Sequence, residues 1–209
     1  MRRISSAVAI TAVFLAAAPA ARAQAVHVLV TPFIGGLVPT AALGTVRLVL
    51  TGSSPTNVKT EMKSAVALGG RIDVYGRGRL GVQAMYFRSS TGVRTIVAAI
   101  PATRDAVFQG GSIKLNYQAT SAQTGTDLVL SAGVAGLSHS GPAFSINGNR
   151  FNVGGDVGAG LHVVMSPAVT LRFDADLFVH RFSSAPAVFP ATTQADMLVT
   201  AGLAFKLGR

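Results

Sequence analysis

The strongest constraint on this chain is an alternation of apolar and polar side chains with a period of two residues. In VTLRFDADLFVH (169–180), apolar residues such as Phe173 occupy odd positions, and Arg172 and Asp174 occupy even positions, with Phe178 as the exception. An α-helix would wrap both sets around its axis, whereas a β-strand places them on opposite faces. The alternation therefore predicts β-strands.

The same alternation recurs in eight stretches of the chain. It predicts strands over 25–34, 61–75, 79–89, 106–119, 126–138, 150–165, 169–182 and 194–207. Most of these exceed the ~5–6 residues usual in soluble sheets. They approach the ~9–11 residues that a tilted strand needs to cross a bilayer.

The connections between these strands alternate in length. Short turns are expected at 76–78, 120–126 and 166–168, and long loops at 35–60, 90–105, 139–149 and 183–193. Short turns at one end and long loops at the other are typical of transmembrane β-barrels with periplasmic termini. Pro32 lies in a predicted strand, near its outer end, where a missing ladder hydrogen bond is easiest to tolerate.

The first 23 residues have the features of a secretory signal peptide. Apolar residues make up 49% of the chain, yet the only apolar run near the length of a membrane helix is 7–20. Arg2 and Arg3 precede this run, and the A-x-A-like site that follows it predicts cleavage after Ala23. The exported protein would then be one domain, over 24–209.

Closure of the sheet follows from the physics of the bilayer. Lipid offers no hydrogen-bond partner, so every backbone N–H and C=O must pair and an open edge is excluded. A barrel of eight strands is narrow enough to be filled by its own side chains. The predicted fold class is all-β: an eight-stranded antiparallel up-and-down transmembrane β-barrel after a cleaved signal peptide.

The polar face of the predicted strands carries most of the acidic residues. A carboxylate facing lipid near the bilayer centre would cost about 2 kcal/mol or more, so these side chains are expected to face the lumen and to pair with cations. The predicted lumen charge network comprises Lys63, Arg71, Asp73, Lys114, Asp156, Arg172, Asp174, Asp176 and Asp196. The same face holds Glu61, Arg79, Asn116, Asp127, His162 and Lys206. This inventory predicts a filled core rather than a pore.

Without the leader, the chain keeps 15 basic residues against 8 acidic ones. Nucleic acid is not an expected partner, because an exported protein seldom meets it and the chain has no long basic run. The basic residues outside the predicted network lie mainly toward the long-loop end: Arg47, Lys59, Arg88, Arg94, Arg104, Arg150 and Arg181. They would either face the phosphates of lipopolysaccharide, which arginine binds well, or serve as solvated loop charge.

The leader, the eight strands, the alternating connections and the last strand together resemble the small eight-stranded outer-membrane barrels of the OmpA/OmpX type. The resemblance covers essentially all of 24–209 and implies the outer membrane of a Gram-negative-type bacterium. It also implies a signal read by the barrel-assembly machinery, at Thr200, Gly202, Phe205 and Leu207. The family often ends on the aromatic residue, whereas this chain adds Gly208 and Arg209 after Leu207.

Two other motifs are interpreted as structural. GRGRLG (76–81) matches the dinucleotide fingerprint, but a period-two stretch follows it instead of a helix, which favours a tight turn. The histidines form no H-x-H or H-x-x-x-H pair, and those on the polar face are expected to be lumen hydrogen-bonding groups. No cofactor and no metal site is assigned. The histidines are His27, His139, His162 and His180.

The favoured function is a structural or surface-interaction role for a monomeric barrel, with loops 35–60 and 90–105 presented to an unknown outside ligand. A second hypothesis is a lipid A-modifying enzyme, a hydrolase or acyltransferase, because some barrels that resemble this one modify lipid A. Ser138 and Ser140 are adjacent to His139, but adjacent residues on a strand face opposite ways. Ser183 and Ser184 follow His180, but they are separated from it along the strand or lie at a loop, and no acid is clearly near. No catalytic residue is therefore assigned. A third hypothesis is a narrow diffusion pore, and a fourth is a soluble lipocalin-like barrel, polar outside and apolar inside.

Overall fold

A computed structural model describes residues 26–40, 42–48, 56–97, 100–120, 125–144, 150–182 and 192–207. The predicted leader lies outside these residues. The strands are β1 (His27–Pro39), β2 (Gly44–Leu48), β3 (Thr56–Met62), β4 (Ala65–Tyr75), β5 (Leu80–Val97), β6 (Ile100–Gln118), β7 (Thr126–Ser140), β8 (Arg150–Ser166), β9 (Val169–Phe182) and β10 (Thr192–Leu207). A short 3-10 helix spans Pro142–Phe144. Among the described residues, no helix has the length and apolarity needed to cross a membrane.

Eight of the strands close into a ring of antiparallel pairs. The ring runs β1, β4, β5, β6, β7, β8, β9, β10 and back to β1. The β2–β3 hairpin extends one side of it, because β3 pairs with β5 beyond the end of β4 and β2 pairs with β3. The predicted eight-stranded antiparallel barrel is confirmed.

The strands at the long-loop end are longer than predicted. The expected loop 90–105 is a hairpin in which β5 and β6 stay paired up to Val97 and Ile100. The expected loop 35–60 contains the end of β1, all of β2 and most of β3. A strand needs alternating apolar and polar side chains only where one of its faces meets lipid. Strands can therefore stay paired beyond the bilayer, where the sequence no longer alternates. Of the expected loop 183–193, residues 183–191 lie outside the described part.

The longer β1 also corrects the placement of Pro32, which lies in the middle of the strand rather than near its outer end. On the β4 side the pairing is continuous and includes Pro32 opposite Gly70. On the β10 side it stops at Val30 and resumes at Phe33. Proline has no N–H to donate, which accounts for an interruption in one ladder at this position.

The two faces of the barrel differ in chemistry. A belt of exposed apolar side chains surrounds the outside, and its members include Ile34, Leu68, Val82, Ile113, Leu115, Leu130, Val134, Val157, Leu161, Phe173, Val199 and Leu203. The inside holds buried charged residues toward the turns and a buried apolar cluster toward the loops. The apolar belt contradicts the lipocalin-like hypothesis, which required a polar outside.

Candidate functional site

Two arginines organise a charged layer in the lumen, near the turn end of the barrel. Arg71 on β4 donates to Asp174 at 2.7 Å and to Asp176 at 2.6 Å. Arg172 on β9 donates to Asp73 at 2.5 Å and to Asp174 at 3.2 Å. All five side chains are buried. Each planar guanidinium therefore spans two carboxylates, a geometry that its fork of donors suits.

A third cation completes this layer. The Lys114 ammonium, on β6, contacts Asp176 and lies 3.3 Å from Asp156. Three buried cations thus face four buried carboxylates, counting Asp73 and Asp174. Desolvation makes such charges costly unless each is paired, so removal of one partner destabilises strongly.

Neutral donors satisfy further oxygen atoms of the same carboxylates. Asp73 accepts hydrogen bonds from Gln83 at 2.7 Å and from Asn116 at 2.8 Å. His162 Nε2 lies 3.1 Å from Asp174 Oδ1. The predicted role of His162 as a lumen hydrogen-bonding group matches this geometry. The charged layer is a connected network that crosses the lumen.

Glycines on β8 provide the space for this layer. Gly158 and Gly160 lie directly across the sheet from Asp176 and Asp174. A Cβ atom at Gly160 would lie 2.2 Å from Asp174 Oδ1, and one at Gly158 would lie 2.4 Å from Asp176 Oδ1. A larger residue at either position would displace a carboxylate from its partners.

The structure places Lys63 outside the charged layer, which corrects the prediction. Lys63 lies in the break between β3 and β4 and is exposed. The buried positions are even-numbered on β3, as at Met62, and odd-numbered on β4, as at Ala67, so the alternation changes phase across the break. Glu61 is half-buried and pairs with Lys59 rather than with a lumen cation. Arg79 and Lys206 are exposed at the turn end. In the membrane region, odd or even position along a strand correctly predicts which side chains face the lumen. Beyond that region, position along the strand does not determine whether a side chain is buried.

A second layer, made of aromatic side chains, fills the lumen on the loop side. Phe87 and Phe178 stack with ring centroids 5.3 Å apart, and Phe108 lies 5.5 Å from Phe87. His139 packs against Phe108 at 4.6 Å and against Phe182 at 5.2 Å. Sequence reasoning missed this layer because it identified the lumen face by polarity. Phe178, which breaks the alternation on β9, was the available signal.

Asp196 belongs to this second layer rather than to the charged one. Its Oδ2 lies 3.8 Å from Nδ1 of His180, and the rings of His180 and His139 are 5.8 Å apart. His162 lies in the charged layer, well separated from His180. In the described part of the chain, no group of three or more His, Cys, Asp or Glu side chains is placed to hold a metal ion.

The serines beside His139 do not form a nucleophile and base pair with it. Ser140 Oγ donates to the carbonyl of Val107 at 3.5 Å, and no hydrogen bond joins Ser138 or Ser140 to a histidine within the described residues. Ser183 and Ser184 lie outside those residues. The geometry at β7 offers no activated hydroxyl.

The lumen opens at the turn end into a cavity of about 450 Å³, whose lining includes Tyr75, Arg77, Asp127 and Lys206. Asp127 is buried, whereas Arg77 and Lys206 are exposed. The cavity is a wide mouth between the turns rather than an enclosed pocket. It gives the predicted lumen residue Asp127 a position below the charged layer.

The four residues of the predicted assembly signal divide between the two faces of β10. Thr200 is buried and donates to the carbonyl of Asp174 at 3.4 Å, and Gly202 lies opposite Phe33. Phe205 and Leu207 face outward, with exposed fractions of 42% and 52%. Gly208 and Arg209 lie outside the described residues.

No family model matches this chain, and no curated protein matches it. Solved structures do match. The outer membrane protein OprG from Pseudomonas aeruginosa superposes with a TM-score of 0.63 at 11% identity, over 89% of this chain and 98% of OprG. The N-terminal β-barrel domain of Pseudomonas aeruginosa OprF gives 0.52 at 13% identity, over 87% and 97%. Neisserial surface protein A gives 0.51 at 14% identity, also over 87% and 97%.

These matches define the class of fold. Their sequence identities are too low for an activity to be transferred to this chain. The chain has the fold of the small outer-membrane β-barrels. At that level the predicted resemblance to the eight-stranded OmpA/OmpX-type barrels is confirmed.

Proposed function

We propose that this protein is an integral outer-membrane β-barrel with a structural or surface-interaction role and a lumen filled by its own side chains. The observation that carries the proposal is the arrangement of its two faces. A continuous apolar belt surrounds a closed ring of strands, and a salt-bridged charged layer lies inside. Such a protein is stable in lipid, because its backbone is paired and its charges are turned away from the acyl chains.

The filling of the lumen favours this role over transport or catalysis. Ions would need a water-filled path through both the charged layer and the aromatic layer, and the side chains of each are buried. An acyl-transfer enzyme would need an activated nucleophile, and Ser138 and Ser140 do not provide one with His139. The lumen therefore acts as a rigid core that holds the outer hairpins in position.

The proposed placement in the outer membrane includes export and assembly. Residues 1–23 would be removed as a signal peptide, and the barrel-assembly machinery would read Thr200, Gly202, Phe205 and Leu207. The apolar belt would contact membrane lipids, and the basic loop end would contact lipopolysaccharide. An unknown surface ligand would meet the β2–β3 and β5–β6 hairpins of a monomeric barrel.

A heat-modifiability gel on fractionated cells tests this proposal. A closed transmembrane barrel resists detergent without heating, so the unheated protein from outer-membrane fractions should migrate faster than the boiled protein. The N-terminal sequence of the same band should begin at Gln24. A single band at one mobility, recovered from the soluble periplasmic fraction, would contradict the proposal.

A further inference from the structure

The outer wall made by β3, β4 and β5 carries a basic strip, defined here as Lys59, Lys63, Arg88 and Arg94. All four side chains are exposed. On β5, Arg88 and Arg94 share a parity opposite to that of the buried lumen residues Met85, Phe87, Ser89 and Val93, so they face outward. On β3, Lys59 shares its parity with Glu61, which lies directly opposite Arg94 and therefore on the same face.

The basic strip lies at the upper edge of the apolar belt. Arg88 lies in one cross-strand row with Leu68 and Ile34, which are 60% and 57% exposed. Tyr86, two residues toward the turn end on the same strand, is 54% exposed. An arginine in such a row keeps its aliphatic stem at the level of the acyl chains and extends its guanidinium toward the headgroups.

The strip has a net positive charge and lies on one side of the barrel. The acidic side chains beside it are Glu61 and Asp105, which leaves a surplus of two positive charges. Across the barrel, the outer part of β8 presents Phe151 and Val153, which are 70% and 69% exposed. Elsewhere at the loop end, the described side chains include two exposed cations, Arg104 on β6 and Arg181 on β9, whereas the β3–β5 wall carries four.

We propose that the basic strip is a binding site for the phosphate groups of lipid A, the phosphorylated lipid of the outer leaflet. This inference rests on the proposed placement of the barrel in the outer membrane. Arginine donates two parallel hydrogen bonds to phosphate oxygens, and the lysines add point charges nearby. The apolar surface beside Arg88, around Leu68 and Ile34, receives the acyl chains of the same molecule. A single lipid A molecule can thus bind the basic strip with its phosphates and the neighbouring apolar surface with its acyl chains.

The test compares Arg88→Gln/Arg94→Gln with a matched control, Arg77→Gln/Arg79→Gln, which removes two arginines from the turn region at the opposite end. Purified barrels in zwitterionic detergent are titrated with lipid A and with dephosphorylated lipid A of the same acyl composition. Phosphorylated lipid A should bind the wild type and the control equally. It should bind the Arg88→Gln/Arg94→Gln variant about tenfold more weakly, as expected for lost charge-assisted contacts at an exposed site. Dephosphorylated lipid A should bind all three with the same low affinity.

Each barrel is first checked by its gel shift. If Arg88→Gln/Arg94→Gln does not fold, Lys59→Gln/Lys63→Gln, which lies on β3 and in the break above the belt, replaces it with the same expected direction. Equal weakening of both arginine variants, or no weakening of either, would overturn this proposal alone. Failure of the wild type to show a gel shift would overturn the membrane placement and this proposal together.

Discussion

At the scale of single residues, the charged layer depends on arginines that each connect two carboxylates. Arg172 is the bridge between Asp73 on β4 and Asp174 on β9, and it is almost completely buried. The other members of the charged layer are also buried, and lipid would surround the barrel at this depth. A carboxylate that loses its arginine there has no solvent to replace it. The loss of one charge is therefore expected to destabilise the whole layer.

We expect Arg172→Met to lower the free energy of unfolding by about 3–5 kcal/mol, because it leaves a buried carboxylate uncompensated. The measurement is urea unfolding in lipid vesicles, followed by the fraction of protein that still shows the gel shift. The matched control is Arg79→Met, an exposed site where a change within about 0.5 kcal/mol is expected. Adding Asp73→Asn to Arg172→Met should restore part of the loss. Equal effects of the two arginine substitutions would contradict the interpretation.

The residues of the charged layer could be predicted from the sequence for a physical reason. Turning Arg71, Lys114 or Asp174 toward lipid is so costly that strand parity alone assigns them to the lumen. The same argument fails for Lys63, because a lysine beyond the bilayer can face either way at little cost. The cost of facing lipid also gives no reason for Phe178 to lie in the lumen, although its parity on β9 places it there, since an aromatic ring is acceptable on both faces.

At the scale of elements, β8 and β9 have complementary shapes. The lumen face of β8 is depleted of side chains at Gly158 and Gly160, where β9 projects Asp176 and Asp174. A glycine in a strand normally weakens it, since it has no side chain to pack. In this barrel, the packing lost at the two glycines is offset by the space that they leave for two salt-bridged carboxylates.

Gly160→Ala should destabilise the barrel by about 1–3 kcal/mol, the usual range for overpacking a filled core. The added methyl group would push Asp174 away from its arginines. Gly155→Ala on the same strand is the control, because a Cβ there would meet only the Gly133 carbonyl, at 4.0 Å. Urea unfolding of the two variants, in the same vesicles, gives the comparison. A Gly160→Ala barrel as stable as the Gly155→Ala barrel would show that the carboxylate is free to move.

The outward face of the strands gives a second prediction at this scale. Val134 is 63% exposed in the middle of β7, and Val97 is 42% exposed at the tip of the β5–β6 hairpin. Val134→Arg should cost about 2–4 kcal/mol if that face meets the bilayer centre, and Val97→Arg about 0–1 kcal/mol. Unfolding from vesicles measures both. Similar costs at the two sites would place the β7 face outside the hydrocarbon.

The element boundaries could not be predicted at the loop end. Inside the bilayer, two environments impose a two-residue period, and the predicted strands there agree with the structure. At the loop end, residues 100–105 of β6 are exposed on both faces, so the pairing up to Val97 and Ile100 leaves no alternation to detect on that strand. The β2–β3 hairpin falls within an expected loop for the same reason.

At the scale of the whole molecule, closure followed from the sequence because lipid forbids an unpaired edge. The division of the lumen into two layers did not follow from it. The charged layer contains Arg71, Lys114 and Arg172, and the aromatic layer contains Phe87 and Phe178. The two layers lie in series along the barrel axis, and we expect either one alone to block the passage of ions.

Two blocks in series predict how the whole barrel conducts ions. The wild type should give no steady conductance in a planar bilayer. Phe87→Ala/Phe178→Ala should also remain silent, because the charged layer still crosses the lumen after the aromatic stack is removed. Insertion is verified by recovering gel-shifted protein from the same vesicles used for fusion, and a large porin in parallel shows that the bilayer reports open channels. Regular conductance steps from the wild type would contradict the filled lumen. Steps from the phenylalanine variant alone would mean that the charged layer leaks and that the aromatic layer is the true seal.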